Sequence, residues 1–216
     1  VLHAALLLAS LAPGSEPVDE LLHRMQSRFE DTAAVSCEIE QTRHLSALTR
    51  PVELGGTVLY MKPHFLRVDL VGDESLSIYA NGRSVWIVDL DLDEVEVVAF
   101  GDGAELERLL PGLTVGGVTE IRRRSEVFLE PTDEAEHRLV FVPRPESGLP
   151  YDRITLDLDG MLRIRRSEVV FSGGDTVESR YRAWKRLPAL SPHAFEYRPG
   201  PEGDGETPAL TSGGMR

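Results

Sequence analysis

The side chains with which this sequence could do chemistry are six histidines, one cysteine and a surplus of carboxylates. The histidines stand singly, at His3, His23, His44, His64, His137 and His193. None lies at metal-ligand spacing from another, and a lone Cys37 rules out a zinc site built on paired cysteines. There is no His-Glu-x-x-His and no Gly-x-Ser-x-Gly elbow. Gly101-Asp102-Gly103 lacks the further glycine and the Lys-Ser/Thr pair of a phosphate loop. An EF-hand loop opening at Asp89 needs Gly at its sixth position and Glu at its twelfth, where this chain has Glu94 and Phe100. Asp89, Asp91 and Asp93 therefore read as a solvated acidic face. Nothing positions His44 as a base for Cys37. No catalytic residue, metal ligand or cofactor is nominated, and the chain is expected not to be an enzyme.

Stepping along the chain shows what it is rich in instead, which is strands. Val35, Cys37, Ile39 and Gln41 fall on one face of a first strand, where Cys37 behaves as a small buried hydrophobe. Gly55-Gly56 marks an expected bulge or bend in a second strand, and Thr57 to Met61 follow with apolar residues on both faces. Leu66, Val68 and Leu70 alternate with Phe65, Arg67 and Asp69; Leu76, Ile78 and Ala80 alternate with Ser75, Ser77 and Tyr79. Asn81-Gly82 is a strong hairpin signal, followed by strands over 85–92 and 94–100. Further strands are expected at 126–129, 138–142, 153–158, 162–171 and 176–184, with Asp159-Gly160 as a second hairpin turn. Phe195-Glu196-Tyr197 suggests a last short strand.

Helices are few. Val18, Leu21, Leu22, Met25 and Phe29 form one apolar stripe over Pro17 to Phe29, with Pro17, Asp19 and Glu20 suited to its first turn. A short helix is expected over Gly103 to Leu110, ended by Pro111, with a second or an irregular stretch over 113–124. A sheet of this many strands curls, and its inner face must be covered. Periodicity leaves open whether helices pack that face solidly or lid an apolar cavity.

Composition sets the outer limits. The 216 residues, 41% hydrophobic, suit one domain with a substantial core. A formal net charge of −13 argues against nucleic acid. Local basic clusters occur at Arg122-Arg123-Arg124 and Arg163-Ile164-Arg165-Arg166. One cysteine forms no intramolecular disulfide and fixes no compartment. Residues 1–12 are an apolar run shorter than the ~20 residues of a membrane span, and residues 1–14 read as the remnant of a secretory signal with Ser10-Leu11-Ala12 as its cleavage site. No cysteine follows that site to carry a lipid anchor. Residues 200–216, poor in apolar side chains, are expected to be a disordered tail.

The Gly55-Gly56 strand, the Lys62-Pro63 turn, Phe65-Leu66-Arg67, and Asn81-Gly82 leading to Val85-Trp86 together resemble the LolA family, over residues 15–199. The family consists of periplasmic carriers that move lipoproteins from the inner to the outer membrane. The resemblance implies an α+β fold: an open, incomplete antiparallel β-barrel with amphipathic helices as a lid over an apolar cavity. It implies acyl chains held against Val58, Leu66, Val68, Leu76, Ile78 and Trp86, and a lid helix using Leu21, Leu22 and Met25. A basic residue before the proline of the Lys-Pro turn, often Arg in the family, holds the closed lid, and Lys62 stands at that position with three rotatable donors instead of a planar fork. The implied partners are acylated lipoproteins, an inner-membrane ABC-type releasing complex and an outer-membrane acceptor lipoprotein. The implied species is a soluble periplasmic monomer. Similar half-barrels carry glycolipids or sense envelope stress, so a carrier of another lipid stays open. So does a binding module using a sheet edge or the Arg163-to-Arg166 patch.

Overall fold

The structure, a computed structural model, describes residues 17–30, 32–99 and 121–199. The expected signal remnant over 1–14, the helix over Gly103 to Leu110, most of the stretch 113–124, the side chain of Phe29 and the tail over 200–216 lie outside those residues.

The described chain opens with a helix, α1 (Val18–Glu30). Its first turn closes on the Pro17 carbonyl, which accepts from Glu20 and Leu21 backbone amides at 3.0 and 3.2 Å. Leu21, Leu22 and Met25 are buried, as the stripe requires. Eleven strands follow: β1 (Ala34–His44), β2 (Val52–Met61), β3 (Phe65–Gly72), β4 (Leu76–Asn81), β5 (Ser84–Asp89), β6 (Glu94–Ala99), β7 (Ser125–Glu130), β8 (His137–Pro143), β9 (Tyr151–Leu158), β10 (Ile164–Phe171) and β11 (Thr176–Leu187). They form one antiparallel sheet in the order β6-β5-β4-β3-β2-β1-β11-β10-β9-β8-β7. Its two ends, β6 and β7, do not pair with each other among the described residues, so the barrel is open.

Turn chemistry sets the registers. At the β4–β5 hairpin Gly82 takes φ +79°, while the Asn81 side-chain oxygen accepts from the Arg83 and Ser84 amides at 3.0 Å. At the β9–β10 turn Asp159 Oδ1 accepts from the Met161 and Arg163 amides at 2.9 and 3.0 Å. The β2–β3 turn contains a cis Lys62–Pro63 bond.

Gly55-Gly56 does not form the expected bulge. The β1–β2 pairing runs unbroken through Glu40↔Gly55 and Ile39↔Gly56. Gly56 is there for close approach: a Cβ on it would sit 1.8 Å from the Asp69 carbonyl oxygen. The register shift falls on the other side of β1, between Ser36 and Glu38, opposite Ala183 at φ +51°.

The expected last strand around Phe195 is a 3-10 turn over Pro192–Phe195. Pro192 has no N–H to give a ladder, and Ser191 caps the turn by accepting from the His193 amide. The turn drives fully buried Phe195 against Ala34 and Met61, with its ring 5.5 Å from that of Phe65. Tyr197 stacks near Tyr79 at 5.9 Å. The chain's last described segment thus covers one end of the outer face, and α1 covers the inner one.

Candidate functional site

Cross-strand partners share a face, so the registers assign every side chain to the inner or outer side. One inner line runs Val58, Val68, Ile78, Ile87 across β2 to β5. The neighbouring line runs Tyr60, Leu66, Ala80, Val85. Val58, Leu66, Val68 and Ile78 are buried and Leu76 is half-buried, in one apolar cluster with Leu21, Leu22 and Met25 of α1.

Trp86 departs from the expected set. It pairs with Tyr79 and lies on the outer line with Arg67 and Tyr79. Val85, Trp86 and Ile87 are all apolar, so composition does not choose between the two parities; the Asn81-Gly82 turn does. Val85, fully buried, takes the inner place.

The sequence reading missed the other half of this face. Leu129, Leu139 and Leu156 form one inner line across β7 to β9, and Val127, Phe141, Ile154 and Val169 the next. Leu139, Phe141, Ile154 and Leu156 are completely buried in the same cluster. Their alternation in 138–142 and 153–158 was the available signal.

One inner line breaks the apolar pattern. Across β2, β1, β11, β10 and β9 it reads Leu54, Gln41, Ser179, Ser167, Leu156. Gln41 Nε2 donates to Ser179 Oγ at 3.0 Å, and Arg43 Nε donates to Gln41 Oε1 at 2.7 Å. Ser167 Oγ and the Tyr181 hydroxyl are 3.3 Å apart. Burial raises the Tyr181 phenol above its ordinary range. Cys37, buried on the same face, has its thiol pushed up to about 12, first by burial and then by the Glu38 carboxylate.

Polar contacts near both ends help to hold α1. Near its C-terminus Arg28 Nη1 donates to the Met161 carbonyl at 2.8 Å, in the β9–β10 turn. Near its N-terminus Asp19 pairs with Arg122. Lys62 lies half-buried beside the α1–β1 connection, where its backbone amide donates to the Ala33 carbonyl at 3.2 Å.

The outer face of β7 to β11 is ionic. A groove of about 490 Å³ is lined by Glu130, Glu134, Arg138, Arg153, Arg166 and Glu178, among others. Arg138 binds Asp157 through two nitrogens and Glu134 through one. Arg166 meets Asp157, Glu168 and Glu178. The Arg166 guanidinium holds the Glu178 carboxyl below its usual range. Within the Arg163-to-Arg166 segment Arg163 pairs with Asp159 and Arg166 is enclosed by acids, while Arg165 is exposed.

Among the described residues the arrangement sets α1 over a broad apolar inner face. No described helix is long and apolar enough to cross a membrane. The family described as outer membrane lipoprotein carrier protein LolA matches residues 30–198. An outer-membrane lipoprotein carrier protein of Xanthomonas campestris pv. campestris is 28% identical over 149 residues, covering 67% of this chain and 68% of its own length. One from Dechloromonas aromatica is 23% identical over 172 residues, covering 79% of this chain and 80% of its own. Among solved structures, a LolA superfamily protein from Nitrosomonas europaea is similar at 11% identity and a TM-score of 0.45, over 85% of this chain and 99% of that one. With an open eleven-stranded antiparallel sheet, an apolar inner face and a family match over most of its length, this chain belongs to the LolA family.

Proposed function

We propose that this protein is a soluble periplasmic carrier that takes the acyl chains of lipoproteins between α1 and the inner face of the sheet and ferries them from the inner to the outer membrane. The observation that carries this is the continuity of the inner apolar cluster from β2 to β5 and from β7 to β10, with α1 as its described cover. Each CH₂ kept out of water is worth ~0.8 kcal/mol. A lipid anchor with tens of such groups needs a shield to cross an aqueous compartment. A helix of 13 residues is marginal alone, so α1 stays in place through packing and polar contacts near its ends and can yield to a ligand of equal apolarity. Val58, Leu66, Val68, Leu76 and Ile78, with Val85 in place of Trp86, form the proposed acyl-binding surface. Leu21, Leu22 and Met25 form its lid, and Lys62 steadies the closed form from the α1–β1 connection. No catalytic step is required.

The route implies two membrane partners, an ABC-type releasing complex at the inner membrane and an acceptor lipoprotein at the outer one. The test is release of a newly made triacylated lipoprotein from spheroplasts of the source cell on addition of the purified protein. The lipoprotein is expected in the supernatant, in complex with the carrier. Lipoprotein that stays membrane-bound, while phospholipid or glycolipid is extracted, would assign the carrier another cargo.

A further inference from the structure

The two ends of the open sheet are unlike. On β7, Ser125 is buried and Val127, Leu129 and Glu130 are half-buried. On β6 every residue is exposed except Val98, which is half-buried. Among the described residues only β5 pairs with β6. An edge strand turns the N–H and C=O of every second residue outward, and that row is a template for a further strand.

The strand lacks most of the features that blunt an edge. Its six pairs with β5 run from Ser84↔Ala99 to Asp89↔Glu94 without a register shift, and Glu94–Ala99 contains neither proline nor lysine. Its alternation divides two kinds of side chain between the faces. Val95 and Val97 stand on the outer lines beside Val88 and Trp86, at 40% and 59% exposure. Glu94 and Glu96 stand on the inner lines beside Asp89 and Ile87, and both are exposed. An incoming strand therefore meets aliphatic side chains on one face and carboxylates on the other.

That pattern selects the occupant. Two copies of this chain can join β6 edge to edge, antiparallel and with matched faces, only about a twofold axis. Centred on Glu96, the pairing sets that carboxylate against itself. Centred on Val97, it leaves the two Glu96 side chains as diagonal neighbours. Like charges in such positions are unfavourable, and a net charge of −13 on each copy adds to the repulsion. An inward-pointing charge on an edge strand is a device against self-pairing. A strand with cations opposite Glu94 and Glu96 turns the same charges into attraction.

We infer that the β6 edge receives an extended segment of a second protein in which aliphatic residues alternate with Lys or Arg. The segment continues the sheet by one strand of about six residues, roughly 20 Å long. Its aliphatic side chains lie beside Val95 and Val97, and its cations beside Glu94 and Glu96. None of these residues belongs to the proposed acyl-binding surface, so either outcome leaves the carrier reading where it stands.

The experiment measures fluorescence anisotropy of a labelled peptide, Val-Lys-Val-Lys-Val-Lys-Val, titrated with the full chain. One comparison peptide has glutamate for lysine; another has the same composition in blocks, Val-Val-Val-Val-Lys-Lys-Lys. The wild type is expected to bind the alternating lysine peptide about tenfold tighter than either. Glu94→Lys/Glu96→Lys is expected to weaken it about tenfold and to strengthen the glutamate peptide by a similar factor. Circular dichroism and thermal melting establish that this variant folds. Val95→Thr/Val97→Thr serves if it does not, with an expected loss of about fivefold. Amide hydrogen exchange is expected to slow about tenfold at alternate β6 residues on peptide binding and to stay unchanged on β7. Equal binding of the block peptide would show diffuse attraction to an acidic protein and overturn the inference. So would binding that neither variant alters, binding that leaves β6 exchange unchanged, or no binding. A dimer of the free protein that Val95→Thr/Val97→Thr dissolves in sedimentation velocity would also overturn it, assigning the edge to a second copy.

Discussion

Asp157 on β9 receives Arg138 on β8 through Nε at 2.6 Å and Nη2 at 2.8 Å. The carboxylate is nearly buried, and Arg166 approaches its other side at 3.6 Å. A fork-to-fork pair of this kind is stronger and more directional than a surface ion pair. It ties the far half of the sheet together on the face opposite the apolar cluster.

Asp157→Asn keeps the shape and removes the charge that two guanidiniums share. Breaking a buried pair from one side costs about 3 kcal/mol. Urea unfolding is expected to show that loss at pH 7, with the m-value unchanged. A midpoint like that of the wild type would mean the ionic face is solvated and idle.

Gly55 and Gly56 are adjacent and opposite in their tolerance. A Cβ at Gly55 reaches no atom closer than the Ile39 carbonyl oxygen at 4.0 Å, whereas at Gly56 it would overlap the Asp69 carbonyl oxygen at 1.8 Å. Gly56→Ala must push β3 away from β2 and is expected to cost about 3 kcal/mol or prevent folding. Gly55→Ala is expected to stay within about 1 kcal/mol of the wild type. Paired thermal melts check both.

The attachment of α1 is separable from the sheet's stability. Arg28→Ala removes the contact from α1 to the Met161 carbonyl, an exposed bond worth under about 1 kcal/mol. Amide hydrogen exchange is expected to quicken about threefold along α1, while β8 and β9 keep their protection. Equal acceleration in both would show that α1 opens only with global unfolding.

Cys37 gives the pH test. Its folded thiol titrates at about 12, against roughly 8.5 when unfolded. A raised folded value means the protonated thiol favours the native state below the unfolded value, and this stability is lost as pH climbs from there through about 12. Iodoacetamide at pH 8 is expected to leave native Cys37 unmodified and to label it once urea unfolds the chain. Cys37→Ala is expected to flatten part of the alkaline fall in melting temperature. Rapid labelling of the native protein would contradict the inward placement.

What the sequence revealed depended on contrast between the two faces of each strand. Val35, Cys37, Ile39 and Gln41 alternate with polar neighbours, and the register puts them on the inner face as read. Trp86 sits between two apolar residues, so its parity was hidden until the Asn81-Gly82 turn fixed it. The bulge opposite Ala183 involves no glycine on either strand, and so left no mark of the usual kind. Ser167 and Ser179 are polar, and their inner placement becomes legible only through the pairing with Gln41. Phe195 looked like strand because its apolar character was visible and the capping role of Ser191 was not.

The account's central claim is that the inner face carries lipoprotein acyl chains, and native mass spectrometry on the protein purified from its source cell, followed by organic extraction, tests it most directly. The account predicts extra mass that resolves into diacylglyceryl-modified peptides. A bare polypeptide mass that takes up no added lipoprotein would contradict it.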